Sequence, residues 1–97
     1  MRRSPSTARL IELSGPRPGR VHYLGREATV GRDESSSVAI DSSDVSRQHA
    51  RLRREKAGWL IEDLESRNGT LVNGVPIRQS DLRTGDEIQV GSQVLFV

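Results

Sequence analysis

Cysteine is absent from this sequence. Its absence excludes a disulfide framework and thiolate chemistry, and it fits a reducing compartment such as the cytoplasm. Aromatic residues are scarce, with one Trp, one Tyr and one Phe. Three rings are few for the stacking on which single-stranded nucleic-acid binders depend. No apolar run approaches the roughly 20 residues of a membrane helix, so no membrane partner is expected. The opening Met1-Arg2-Arg3-Ser4-Pro5-Ser6-Thr7 is basic but has no apolar segment behind it, so it is not a secretory signal. Residues 1–8 read instead as a short flexible arm, and residues 9–97 as one folded domain.

The 97 residues allow a single domain with a modest core. Acidic residues nearly balance the basic ones, giving a net charge of +2, yet the pI is about 9.9 because arginine dominates the positive set. That balance leans towards an anionic partner and argues against a nucleic-acid module.

Short apolar runs separated by turn residues fill the chain. Strands are expected over 9–13, 21–24, 28–30, 38–40, 50–53, 59–64, 71–72, 75–77, 87–90 and 93–97. Trp59 is expected in the core. Ala50-Arg51-Leu52-Arg53 alternates apolar and charged residues, as a half-buried strand does. The run of basic residues Arg47, Arg51, Arg53, Arg54 and Lys56 reads as a solvated sheet face. Asn73-Gly74 between Leu71-Val72 and Val75-Pro76-Ile77 signals a two-residue hairpin, because a type I′ turn needs positive φ at both central residues. No stretch sustains a helical period. The expected class is an all-β sandwich of two twisted, mostly antiparallel sheets with binding loops at one end. The chain runs to its last residue inside a strand, so further domains of a longer parent chain are expected.

Three polar pieces stand at the edges of strands. In Val30-Gly31-Arg32-Asp33, the glycine lets the chain leave its strand sharply, and the arginine offers a planar fork that can meet two phosphate oxygens. In Val45-Ser46-Arg47-Gln48-His49-Ala50, the serine offers a hydroxyl and Arg47 adds charge. His49 can tie two loops through its two ring nitrogens. In Ser66-Arg67-Asn68-Gly69-Thr70, Asn-Gly favours a tight turn, and the amide offers both a donor and an acceptor to an extended peptide. Hydroxyls, backbone N–H groups and guanidinium groups together suit a phosphate dianion.

The combined pattern is Gly31-Arg32, then Ser46 with His49, then Asn68-Gly69-Thr70 and a second Asn73-Gly74. It closely resembles the forkhead-associated (FHA) family of phosphothreonine-binding domains, over roughly residues 10–97. The resemblance implies a non-enzymatic module, without cofactor or metal, that binds a phosphothreonine-containing protein or peptide written by a Ser/Thr protein kinase. It puts Arg32, Ser46 and Arg47 on the phosphate, and Asn68, assisted by Asn73, on the peptide main chain. Gly31, His49, Gly69 and Thr70 would support the site. Many family members carry Thr where this chain has Arg67. Either Arg67 reaches the phosphate as a charge, or Ser66 supplies the missing hydroxyl.

Three other readings compete. An esterase would combine Ser46 and His49 with Asp44 or Asp63, without a nucleophile elbow to expose the serine. A nucleic-acid module would bind with a steep salt dependence and no need of phosphothreonine. A domain of the same fold could also have become a protein-interaction scaffold that ignores phosphate.

Overall fold

The computed structural model of the chain describes residues 8–96, the strand Ser92–Phe96 by its backbone. Residues 1–7 of the expected arm, and Val97, lie outside the described residues. Eleven strands follow in order: β1 (Arg9–Glu12), β2 (Val21–Tyr23), β3 (Glu27–Gly31), β4 (Val38–Ala39), β5 (Ala50–Glu55), β6 (Gly58–Asp63), β7 (Thr70–Val72), β8 (Val75–Ile77), β9 (Gln79–Leu82), β10 (Glu87–Val90) and β11 (Ser92–Phe96). They form a six-stranded sheet, β2-β1-β11-β10-β7-β8, and a five-stranded sheet, β4-β3-β5-β6-β9. Among the described pairings only β3 with β4 is parallel. The all-β sandwich expected from the sequence is the observed fold, and the described residues contain no helix.

Period-two alternation makes the sandwich. Ala28 and Val30 on β3, Ala50 and Leu52 on β5, and Ile88 and Val90 on β10 all point inwards, while the residues between them meet solvent or are half-buried. Leu10, Val72, Ile88 and Val90 from one sheet thus face Val30, Val38, Leu52, Ile61 and Leu82 from the other. Each fully buried aliphatic side chain contributes about 1.5–3 kcal/mol. Arg51 and Arg53 lie on the outer face, half-buried beside Glu62 and Glu55 at 2.9 and 3.1 Å. Exposed pairs of this kind add little to stability.

Several expectations from the sequence change. Ala8, assigned to the arm, is buried in the core, and its carbonyl accepts from Leu24 N at 2.9 Å. Trp59 is only half-buried. It shares the inward face of β6 with Ile61 but lies at the strand's start, bordering an open cleft with Gly58, Leu82 and Arg83. Strand β9 was not foreseen at all. The predicted hairpin turn does form, with φ of 51° at Asn73 and 81° at Gly74.

Registry decides where the polar pieces go. Val30 pairs with Ala50, and Ala50 pairs with Asp63. The end of β3, the start of β5 and the end of β6 therefore lie side by side. The loops 32–37, 40–49 and 64–69 all emerge at that one end of the sandwich. Binding residues on loops carried by a rigid scaffold are a common arrangement.

Candidate functional site

Ser46 is the knot of the three loops. Its carbonyl accepts from Arg32 N at 2.9 Å, its N–H donates to His49 Nδ1 at 3.1 Å, and its Oγ accepts from Arg67 N at 3.0 Å. The hydroxyl oxygen is thus an acceptor within the protein, and its one proton remains for a ligand. Next to it, Asp33 N donates to the Arg47 carbonyl at 3.3 Å.

That close approach explains Gly31. Its φ is not positive, so the sharp exit from the strand is not the reason for a glycine here. A Cβ would instead run into the carbonyl of Arg47 and crowd Ser36 Oγ at 3.0 Å. Only a residue without a side chain lets loops 32–37 and 40–49 touch.

His49 is fully buried. Nδ1 receives the Ser46 N–H, so it carries no proton, and Nε2 donates to the Gly69 carbonyl at 2.7 Å. The neutral Nε2–H tautomer follows from those two partners. One ring therefore joins the second loop to the third. An esterase arrangement would bond His49 to the Ser46 hydroxyl, whereas here His49 meets the Ser46 backbone N–H. Among the described residues no group of three or more metal-ligating side chains occurs.

Asp63 holds the third loop. Its carboxylate accepts from Ser66 Oγ at 2.6 Å, Ser66 N at 3.2 Å and Thr70 Oγ1 at 2.7 Å. Partial burial pushes its pKa up, but the hydrogen bonds from Ser66 and Thr70 outweigh that and hold it below the ordinary 3.8. Ser66 Oγ in turn accepts from Gly69 N at 2.9 Å. The Ser66 proton is spent on Asp63, and of the two expected alternatives it is Arg67 that lines the cleft while Ser66 shapes the turn. Thr70 is buried for the same purpose, and Gly69 takes a φ of 85°. Sequence reasoning considered Asp63 only as a catalytic acid. Its position three residues before Ser66, where a carboxylate can accept from that residue's N–H and hydroxyl, was the available signal.

A cleft of about 530 Å³ lies between the loops, lined by Arg32, Ser43, Asp44, Val45, Ser46, Arg47, Glu65, Arg67 and Asn68. Arg32 Nε donates to the Val45 carbonyl at 3.1 Å, which aims the guanidinium and leaves both terminal nitrogens for a ligand. Arg47 and Arg67 add two further charges to the lining. The charge of Arg47 also helps to lower the pKa of exposed Asp33, after the larger effect of hydrogen bonds from Ser35. Asn68 Nδ2 donates to the Asp44 carbonyl at 2.9 Å, keeping one N–H and the amide oxygen for a peptide backbone.

Asn73 does not join this group. Its Nδ2 donates to Asp86 at 3.0 Å and its Oδ1 accepts from Glu87 N at 3.0 Å, which ties the β7–β8 hairpin to the start of β10. These bonds give Asn73 a place in the fold away from the lining of the cleft. Arg32, Ser46, Arg47, Arg67 and Asn68 are brought together; Ser66, His49, Gly69 and Thr70 stand behind them.

The sequence profile of the FHA domain matches residues 28–91, which contain every loop of this cleft. The chain belongs to the FHA domain family. Among curated relatives, this FHA domain is 41% identical over 86 residues to the oxoglutarate dehydrogenase inhibitor of Corynebacterium jeikeium, covering 88% of this chain and 60% of the relative. It spans 60%, 63% and 54% of the length of three of the curated relatives it matches. Its fold is similar to that of the FHA domain of CT664 from Chlamydia trachomatis, with a TM-score of 0.88, 31% identity, and 95% and 97% of the two chains covered. A domain studied for phosphothreonine-dependent FHA domain interactions superposes with a TM-score of 0.86 at 30% identity, covering 94% of this chain and 95% of that one.

Proposed function

We propose that this FHA domain is a phosphopeptide-binding module that docks a phosphothreonine of a partner protein, written by a Ser/Thr kinase, in the cleft between its three loops. The observation that carries this reading is the hydrogen-bond state of Ser46 and Arg32. Each has spent on the protein only the atoms that fix its direction, and each keeps donors for an acceptor-only ligand. A phosphate monoester offers three acceptor oxygens and nearly two negative charges. Arg32 and Ser46 meet it directly, Arg47 and Arg67 supply charge, and Asn68 holds the peptide backbone. His49, Gly31, Gly69, Thr70, Ser66 and Asp63 fix the loops. No bond is made or broken, so the domain acts as an adaptor and not as an enzyme. The phosphothreonine-dependent interactions of a similar domain support the choice of ligand.

A cytoplasmic location, where kinases and their substrates meet, fits this reading. The remainder of a parent chain would carry any further activity.

The test is calorimetry with a phosphothreonine peptide library and its unphosphorylated copies. Binding should need the phosphate. The Arg32→Ala variant should lose about 10–100-fold in affinity, the scale of one charge-assisted contact of about 1.5–3 kcal/mol. Unchanged affinity in that variant refutes the assignment. Equal binding of unphosphorylated peptides would point instead to a scaffold indifferent to phosphate.

A further inference from the structure

Glu65, like Asp44, is a carboxylate in the wall of a cleft that otherwise suits an anion. It lines that cleft beside Arg67 and Asn68, and it also lines an adjoining trough with Glu62, Asp63, Leu64, Arg78 and Gln79. The two concavities meet at this one residue.

Two features separate Glu65 from the acidic residues of the trough, and its backbone and its place where the two concavities meet separate it from Asp44. Glu62 is held by Arg51 at 2.9 Å, and Asp63 is saturated by Ser66 and Thr70. Glu65 is exposed, and its carboxylate makes no hydrogen bond or ion pair with a described residue. Its backbone is also unusual, with a φ of 56°. That region is comfortable for glycine and tolerable for Asn or Asp, and it disfavours a longer side chain. Such outliers gather where function needs them.

Taken alone, this carboxylate repels a phosphate bound by Arg32 and Ser46. The repulsion is offset if the ligand brings a cation of its own to the same place. A lysine or arginine close to the phosphothreonine would do so, with its phosphate among the arginines and its ammonium or guanidinium at Glu65. An acidic residue there would meet like charge. Attraction and rejection would then act together, as selective sites require.

We propose that Glu65 is a specificity-determining residue that selects phosphothreonine peptides carrying a basic side chain near the phosphorylated position. The inference rests on the phosphopeptide reading of the cleft. The preference is that of a solvent-exposed ion pair, roughly two- to fivefold in affinity. Added salt weakens it, because exposed charges are screened.

The test uses an alanine and glycine host peptide with one phosphothreonine. Lysine, alanine or glutamate is placed in turn at each of the three positions on either side. Affinities are measured for the whole chain and for Glu65→Gln at low and high salt. At one flanking position the lysine peptide should bind best and the glutamate peptide worst. Glu65→Gln should tighten the alanine peptide slightly and bring the lysine peptide level with it. Glu65→Arg should reverse the order in favour of glutamate. Phosphate-dependent binding with no flanking preference overturns the inference and leaves the phosphopeptide reading standing. A lysine preference that survives Glu65→Gln overturns it too. If no phosphopeptide binds at all, the proposed function fails and this inference falls with it.

Discussion

Truncating His49 to alanine separates a brace from a ligand contact. The imidazole is fully buried and joins Ser46 N to the Gly69 carbonyl. Its removal forfeits two hydrogen bonds, each contributing about 0.5–1.5 kcal/mol net. It also leaves an N–H and a carbonyl without partners, at about 1–3 kcal/mol for each that water cannot reach. Both lie near the loop surface, so water recovers part of that loss. A destabilisation of about 3–5 kcal/mol is the expected outcome, a large share of the 5–15 kcal/mol typical of a domain. For a chain of this size each kcal/mol shifts Tm by about 4–8 °C, so a fall of about 15–30 °C should appear in a calorimetric scan. Phosphopeptide affinity should fall as well, because Ser46 and loop 64–69 lose their common anchor. Ser46→Ala is the contrasting variant. It removes one half-exposed acceptor from Arg67 N, so Tm should drop by only a few degrees while affinity falls about tenfold or more. A His49→Ala protein that melts within a few degrees of the parent yet no longer binds would refute the brace and put His49 on the ligand.

Further outcomes follow from the same contacts. Gly31→Ala should cost about 1–3 kcal/mol through overpacking against the Arg47 carbonyl and lower Tm by about 5–20 °C, with affinity lost in step. Asp63 has a depressed folded-state pKa, so its contribution is fully present above the ordinary 3.8 and is lost as pH falls through the lower folded value. Denaturation curves between about pH 5 and 2 should therefore fall less steeply for Asp63→Asn than for the parent, from a lower starting stability. The domain should prefer phosphothreonine to phosphoserine by about fourfold or more, since burying the extra methyl contributes about 0.8 kcal/mol. An aspartate mimic should bind very weakly in the same titration, and equal affinity for the two phosphoresidues would deny a pocket for the methyl.

The legible parts of this chain are those governed by local rules. Alternation at Ala50-Arg51-Leu52-Arg53 and the turn at Asn73-Gly74 depend on neighbours in sequence, and both appear as expected. Strand β9 escaped notice because Gln79-Ser80-Asp81-Leu82 buries only Leu82; its pairing with Trp59 through Glu62 makes it a strand. Trp59 was misjudged because a large apolar residue reads as core from composition, while its place at the strand's start decides its burial. In the site, the residues that carry charge were visible as motifs. The division of labour among hydroxyls was not. Ser46 and Ser66 are alike in sequence, and they differ only in whether the proton is already spent on Asp63. The role of Asn73 is lost in the same way, since its partners Asp86 and Glu87 lie 13 and 14 residues further along the chain.

The position of β11 has a consequence for how the domain comes into being. The last strand lies between β1 and β10, pairing Leu10 with Phe96 and Ile88 with Val94. Until it is in place, the six-stranded sheet exists as two unconnected pieces, β2-β1 and β10-β7-β8. A closure that joins the first strand to the last is the most non-local contact a chain can make, and such topologies fold on the millisecond-to-second scale. During synthesis the five-stranded sheet that carries the loops can begin to assemble while β1 still waits for its neighbour. If β1 and β10 form before β11 emerges, each presents a bare edge open to pairing with another chain.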